Sequence, residues 1–263
     1  MLAGVVREKT IKGALACIRN CEVQGATGID LHLSCLDEEF QTVEKLGDII
    51  NFSRLPILAL NYNLSYDKGL YEATEEERTS LLLRAVEAGA AAVDIQGYTF
   101  DLPSKSGFCG EDKYSFTKGN PKEVVVDNKI IDKQMEFIEK VHHMGAEVLL
   151  SNHPGIPMTT EQVVDLALFV EKRNPDIIKI VAIANTEEEM ADAFKTMVVL
   201  KKEVKTPVSY HCGGKFGVLT RVINPALGGF MCFCNERYTI SSDYSQVSLD
   251  VAKTILDNIK KVL

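Results

Sequence analysis

Lys179 sits inside an otherwise apolar run, Asp176-Ile177-Ile178-Lys179-Ile180-Val181-Ala182-Ile183-Ala184. The run is short, rich in β-branched residues and preceded by Asn174-Pro175, so it reads as a buried strand rather than a helix. Burying an ammonium is costly unless it is paired, and a neutral amine held there can attack a carbonyl carbon to form a Schiff base. Taken alone, the run favours a plainer reading: a strand-end lysine with its stem buried and its head in water. Two further residues change the weighing. His153 ends the segment Leu149-Leu150-Ser151-Asn152-His153-Pro154, and Arg221 closes Gly217-Val218-Leu219-Thr220-Arg221. Singly, these are a core histidine and a surface ion-pair partner. Together with an amine they make a set suited to carbanion chemistry beside an acid-bearing ketone: imidazole to move protons, guanidinium to hold a carboxylate.

Such a set works only if the chain brings it to one place. Short apolar segments recur at 27–34, 56–63, 91–96, 147–153, 176–184, 207–212 and 229–234, and Leu2–Arg7 is a plausible first strand. Between them lie stretches of helical periodicity, clearest at Glu75–Ala88 and Thr160–Lys172, with Ile11–Gln24 first and Leu249–Val262 last. About eight β/α units in succession imply a parallel sheet closed into a (β/α)₈ TIM barrel. An open doubly wound sheet is second, but no GxGxxG follows a strand. In such barrels catalytic groups stand at the C-terminal ends of the strands, and consecutive strands would put His153 and Lys179 on neighbouring walls.

With 263 residues and 46% hydrophobic content, one large core is affordable, and residues 1–263 are expected to form a single barrel domain with a long excursion after strand four at about 97–128. A formal charge of −8 and a pI near 5.3 argue against nucleic acid and anionic membrane as main partners. No signal-like segment opens the chain and no apolar run has spanning length. Seven cysteines suit a reducing cytoplasm, and their spacings offer no zinc site. A cytoplasmic protein without metal, acting on a small molecule and assembling as a homodimer, is the expectation.

The chain resembles the type I 3-dehydroquinate dehydratases, (β/α)₈ lyases of the class I aldolase type that work through a lysine Schiff base. The family's Ser-x-His stands here as Ser151-Asn152-His153, its lysine strand as Ile178-Lys179-Ile180, and its Gly-x-x-Ser-Arg as Gly217-Val218-Leu219-Thr220-Arg221. Its Ser-Ala-Pro-Gly-Gln loop is matched at its ends by Ser242 and Gln246. The resemblance implies Lys179 as nucleophile, His153 as proton shuttle, and Arg221, Ser242 and Gln246 as substrate contacts, with no cofactor.

Departures fall on the other side of the pocket. Where the family has Glu-x-Arg at the end of strand two, this chain has Asp30-Leu31-His32. An arginine after strand three has no counterpart, and Asp67 is a shifted substitute for the glutamate beyond it. The half that makes and breaks the imine is retained; the half that reads the hydroxylated ring is rebuilt. The expected function is dehydration of a cyclic or hydroxylated keto acid, with Asp30, His32 and Asp67 as rebuilt substrate contacts. A Schiff-base aldolase or another imine-forming enzyme, and a non-catalytic descendant of the family, stay open as alternatives.

Overall fold

In a computed structural model of the chain, which describes residues 1–62, 64–65, 69–70, 73–101, 124–240 and 242–262, the alternating segments become eight parallel strands and eight α-helices. The barrel strands are β1 (Leu2–Val6), β2 (Gly28–His32), β3 (Ile57–Leu60), β4 (Ala92–Gln96), β5 (Glu147–Asn152), β6 (Ile177–Ile183), β7 (Val208–Gly213) and β8 (Cys232–Asn235). Helices α1 (Ile11–Val23), α2 (Val43–Ile50), α3 (Glu75–Glu87), α4 (Asn128–His143), α5 (Thr160–Glu171), α6 (Glu187–Glu203), α7 (Gly217–Ile223) and α8 (Leu249–Ile259) follow them in turn. The strands pair in the order β8-β1-β2-β3-β4-β5-β6-β7. The two end strands meet where the Phe230 amide donates to the Val208 carbonyl (3.0 Å) and Ser209 Oγ to the Met231 carbonyl (2.9 Å). The sheet thus curls into the expected (β/α)₈ barrel.

Strands buried on both faces read as continuous apolar runs, and this one-sidedness of composition hides two different surroundings. Because side chains alternate along a strand, one set packs outward against the helices: Ile29 and Leu31, Val93 and Ile95, Val148 and Leu150, Ile178 and Ile180 join Ile18, Leu82, Phe137 and Leu166 in one core. The other set fills the barrel. Ala3, Val5, Leu58, Ala92, Leu149, Ile177, Met231 and Phe233 form that inner cluster. One or two inward steps further along most strands, the inner set turns polar: Asp30 and His32, Asp94, Ser151 and His153, Lys179, Ser209 and His211, Asn235. The apolar plug closes the N-terminal side, and the polar layer lies at the C-terminal ends.

Helix starts are sharply signalled. Capping boxes pair Thr74 with Glu77, Thr159 with Gln162 and Thr186 with Glu189, satisfying the exposed amides of α3, α5 and α6. The last strand begins later than the segment 229–234 suggests, because the Gly229 amide is spent on the Asn224 carbonyl (2.8 Å), in the turn before β8. Of the excursion after β4, the described ends are tied down: Gln134 on α4 donates to the Gly97 and Thr99 carbonyls (3.1 and 2.7 Å), and buried Arg173 donates to the Val125 carbonyl (2.7 Å). Its middle, with Phe108, Tyr114, Phe116 and the three lysines 105, 113 and 118, lies outside the described residues.

Candidate active site

A pocket of about 370 Å³ opens at the C-terminal ends of the strands, and Lys179 is on its wall. The residue is 7% exposed. Its Nζ donates to Tyr62 Oη at 3.0 Å, lies 3.6 Å from Asp94 Oδ2 and stands 4.4 Å from the centre of the Phe233 ring. Tyr62 Oη donates in turn to Asp94 Oδ2 (2.8 Å), and Ser151 Oγ donates to the other carboxylate oxygen (2.6 Å). Burial pushes the Asp94 carboxyl up to about 6, against the pull of Lys179 and of the hydroxyls of Ser151 and Tyr62. Tyr62 is pushed well above the usual phenol value by its own burial and by the Asp94 charge. Amine, phenol and carboxyl therefore form a short hydrogen-bonded chain on the pocket wall.

Tyr62 lies two residues past β3, where a free loop would leave it loose. Arg78 of α3, itself buried, fixes the preceding residue: its Nε donates to the Asn61 carbonyl (3.1 Å), and Asn61 Nδ2 returns a bond to the Arg78 carbonyl (3.1 Å). The phenol ring then meets the His153 ring edge-on, with centroids 5.6 Å apart. His153 follows directly on β5, and its imidazole is held well below the usual value by burial and by the Lys179 and Arg221 charges. The ring is therefore uncharged at neutral pH.

Arg221 reaches the pocket from α7, whose seat depends on two residues. A Cβ at Gly217 would run into the Cys212 carbonyl, so glycine lets the helix sit on the end of β7. Thr220 Oγ1 accepts from the Cys212 amide (2.9 Å) and donates to the Gly217 carbonyl (2.6 Å). The guanidinium faces Asp243 at 3.8 Å. Asp243 is raised by burial and lowered by Arg221 and Ser245, with the lowering dominant.

Of the residues expected from sequence, Lys179, His153, Arg221, Gln246, Asp30 and His32 line the one pocket. Asp30 and His32 are adjacent inward positions of β2, with His32 Nε2 3.3 Å from Asp30 Oδ2. Burial and the Arg7 charge bring the His32 imidazole down to about 4. Ser242 lies beside it on a smaller cleft, accepting from the Thr239 amide (2.8 Å). Asp67 is outside the described residues. Away from the pocket, His142 at the end of α4 pairs with Asp176 at the entry to β6 (2.8 Å), on the N-terminal side of the barrel. Among the described residues no cluster of His, Cys, Asp or Glu has the arrangement of a metal site.

Sequence reasoning missed Arg7, Tyr62, Asp94, Ser151 and His211 as site residues. Arg7 closes the mouth beside β1, donating to Asn235 Oδ1 (3.3 Å) and Gln246 Oε1 (3.4 Å). Each lies on the inward parity of its strand, or of the strand's continuation, past the apolar plug, a pattern that shows once the register between strands is known.

A family model described as type I 3-dehydroquinase matches residues 114–262. Among curated proteins, the 3-dehydroquinate dehydratase of Desulfotalea psychrophila is 26% identical over 212 residues, covering 80% of this chain and 77% of that protein. Among solved structures, the 3-dehydroquinate dehydratase of Geobacillus kaustophilus superposes with a TM-score of 0.77 at 13% identity, covering 99% of this chain and 91% of that one. The type I enzyme of Clostridium difficile gives 0.74 at 15%, covering 100% and 93%, and was solved with covalently modified comenic acid.

Proposed function

The chain belongs to the type I 3-dehydroquinase family and is a dehydratase, a carbon–oxygen lyase; from that premise we propose that it dehydrates a hydroxylated cyclic keto acid through a Schiff base on Lys179, with His153 moving the protons. The observation that carries this reading is Lys179 itself: a buried amine, hydrogen-bonded to a phenol and close to a carboxyl, open to a pocket that also holds a neutral imidazole and a guanidinium.

The amine passes its proton toward Asp94 through Tyr62 and attacks the substrate ketone. Water leaves the carbinolamine, and the resulting iminium draws electrons from the neighbouring carbon. His153 takes the α-proton, the β-hydroxyl departs with a proton from the same imidazole, and water hydrolyses the conjugated imine to release product and free amine. Overall one water is lost and no redox partner is needed. Arg221 holds the substrate carboxylate, and Gln246, with Ser242 in the same loop, borders it. Asp30 Oδ1 is buried without a hydrogen-bond partner among the described residues, which suits it to accept from a substrate hydroxyl. The same reading holds the chain as one barrel domain acting in the cytoplasm as a homodimer. Among the described residues no helix is long and apolar enough to cross a membrane.

Borohydride added during turnover tests the proposal. A reduced adduct should map to the peptide bearing Lys179, and Lys179→Ala should lose both adduct and activity. An adduct elsewhere, or full turnover by that variant, overturns it; a cleaved aldehyde product would identify an aldolase instead.

A further inference from the structure

His211, on the inward face of β7, has no place in the steps above. It is 2% exposed and lines the pocket, yet among the described residues neither Nδ1 nor Nε2 has a hydrogen-bond partner. Buried polar atoms left unpaired are costly and uncommon, and an apolar side chain would have closed this wall without stranding two nitrogens. The buried imidazole of His32 does not share this condition: it faces Asp30.

Position adds to the point. The register pairs Lys179 with Ser209 and Val181 with His211, so His211 stands one inward step nearer the mouth than the amine. Its ring lies 6.2 Å from that of Phe233, which also packs over the Lys179 ammonium. Burial first, and then the Arg221 and Lys179 charges, hold the imidazole well below its usual value. The ring is therefore uncharged, with one nitrogen donating and one accepting. Carboxylates have better partners in Arg221 and Arg7. A hydroxyl, which also donates and accepts, is the group that such a ring fits.

We infer that His211 is a specificity-determining substrate contact, hydrogen-bonding a hydroxyl of the keto acid on the wall between Lys179 and Arg221. This rests on reading the pocket as a keto-acid site. It assigns a hydroxyl reader on β7, apart from Asp30 and His32 on β2.

Two probes separate the hydroxyl from the rest of the substrate: 3-dehydroquinate, and 3-oxocyclohexanecarboxylate, which keeps ring, ketone and carboxylate but has no hydroxyl. Calorimetry without reductant should find the wild-type chain preferring the hydroxylated probe by about tenfold or more. His211→Leu should shrink that preference several-fold, leaving the share owed to Asp30 and His32, and His211→Gln, which keeps a donor and an acceptor, should restore part of it. In the wild-type chain, ¹⁵N resonances of the His211 ring should move on adding 3-dehydroquinate and stay with the analogue, a reading that holds even if the leucine variant fails to fold. A preference unchanged in folded His211→Leu, an unmoved ring resonance, or binding of neither probe overturns the inference. The imine is scored separately: a preference that shrinks in His211→Leu without any borohydride adduct at Lys179 sinks the Schiff-base mechanism and leaves His211 standing, and the opposite pair of results does the reverse.

Discussion

The Lys179 amine donates to the Tyr62 hydroxyl at 3.0 Å, joining the middle of β6 to a residue just past β3 on another wall of the barrel. Tyr62 passes the contact on to Asp94 at 2.8 Å. The phenol thus stands between the group that must lose a proton to become a nucleophile and a carboxyl raised to about 6, close enough to neutral to take and return one. Asp94 is anchored independently by Ser151, so the chain is held from both ends.

Tyr62→Phe keeps the ring against His153 and removes the hydroxyl. Imine formation should slow by roughly 10²-fold, at the lower end of what loss of proton-transfer help costs. Quenched borohydride trapping on the seconds scale reads this directly. A trapping rate equal to wild type would mean that the amine sheds its proton by another path.

His153→Ala should fail differently from Lys179→Ala. Loss of the imidazole should slow α-proton exchange and turnover by roughly 10² to 10⁴, while trapped imine still accumulates on Lys179. Solvent deuterium exchange into the substrate, followed by NMR, distinguishes the steps. Fast exchange in this variant would move the proton shuttle to another residue.

The barrel was legible because its signals are local: short β-branched runs, amphipathic stretches with acidic first turns, and spacings that repeat. Lys179, His153 and Arg221 were legible for a related reason, since each stands at a recognisable place in a strand or turn. Tyr62 and Asp94 were not. Leu60-Asn61-Tyr62-Asn63 and Ala92-Val93-Asp94-Ile95 carry nothing to tell an inward side chain from an outward one, and parity becomes decisive only once the register between strands is known. Arg7 was hidden by sitting at the end of the first strand, where a charged residue usually marks the surface. The described ends of the 97–128 excursion are fastened by Gln134 and Arg173, two buried polar side chains on or after helices whose partners lie dozens of residues away. Such pairings cannot be read from spacing.

Activity on 3-dehydroquinate itself should be weak or absent. The strand-two arginine of the resemblance is His32 here, kept uncharged by burial and by Arg7, and the strand-three arginine has no counterpart. Each charge-assisted hydrogen bond is worth roughly 1.5 to 3 kcal/mol, so losing both costs on the order of 10² to 10⁴ in binding. Arg7 brings a guanidinium to the mouth from β1, but already bonded to Asn235 and Gln246. A steady-state assay following the conjugated product would settle the matter: turnover at the rate of a dedicated enzyme would show that the rebuilt wall left specificity intact.

Acid should weaken the fold before it touches most surface carboxylates. His32, His153 and His211 all bind protons less readily in the folded chain than in the unfolded one, where imidazole titrates near 6.5. As pH falls through that value the unfolded chain takes up protons that the native chain refuses, so stability present at neutral pH is lost, for His32 down to about 4. Asp94 works in the other direction. Raised from 3.8 to about 6, it is protonated first in the folded chain and gains stability over that interval as pH falls. Three groups against one leave an uptake of up to about two protons on unfolding, or up to ~2.7 kcal/mol per pH unit. Urea unfolding at pH 7, 6 and 5 should therefore show a falling midpoint, and His211→Leu should flatten the trend by up to about one proton, ~1.4 kcal/mol per unit. Asp94→Asn should steepen it. A midpoint independent of pH across this range, or one that rises toward pH 5, would mean that the three imidazoles are charged in the native pocket, and the neutral base assigned to His153 would fall with it.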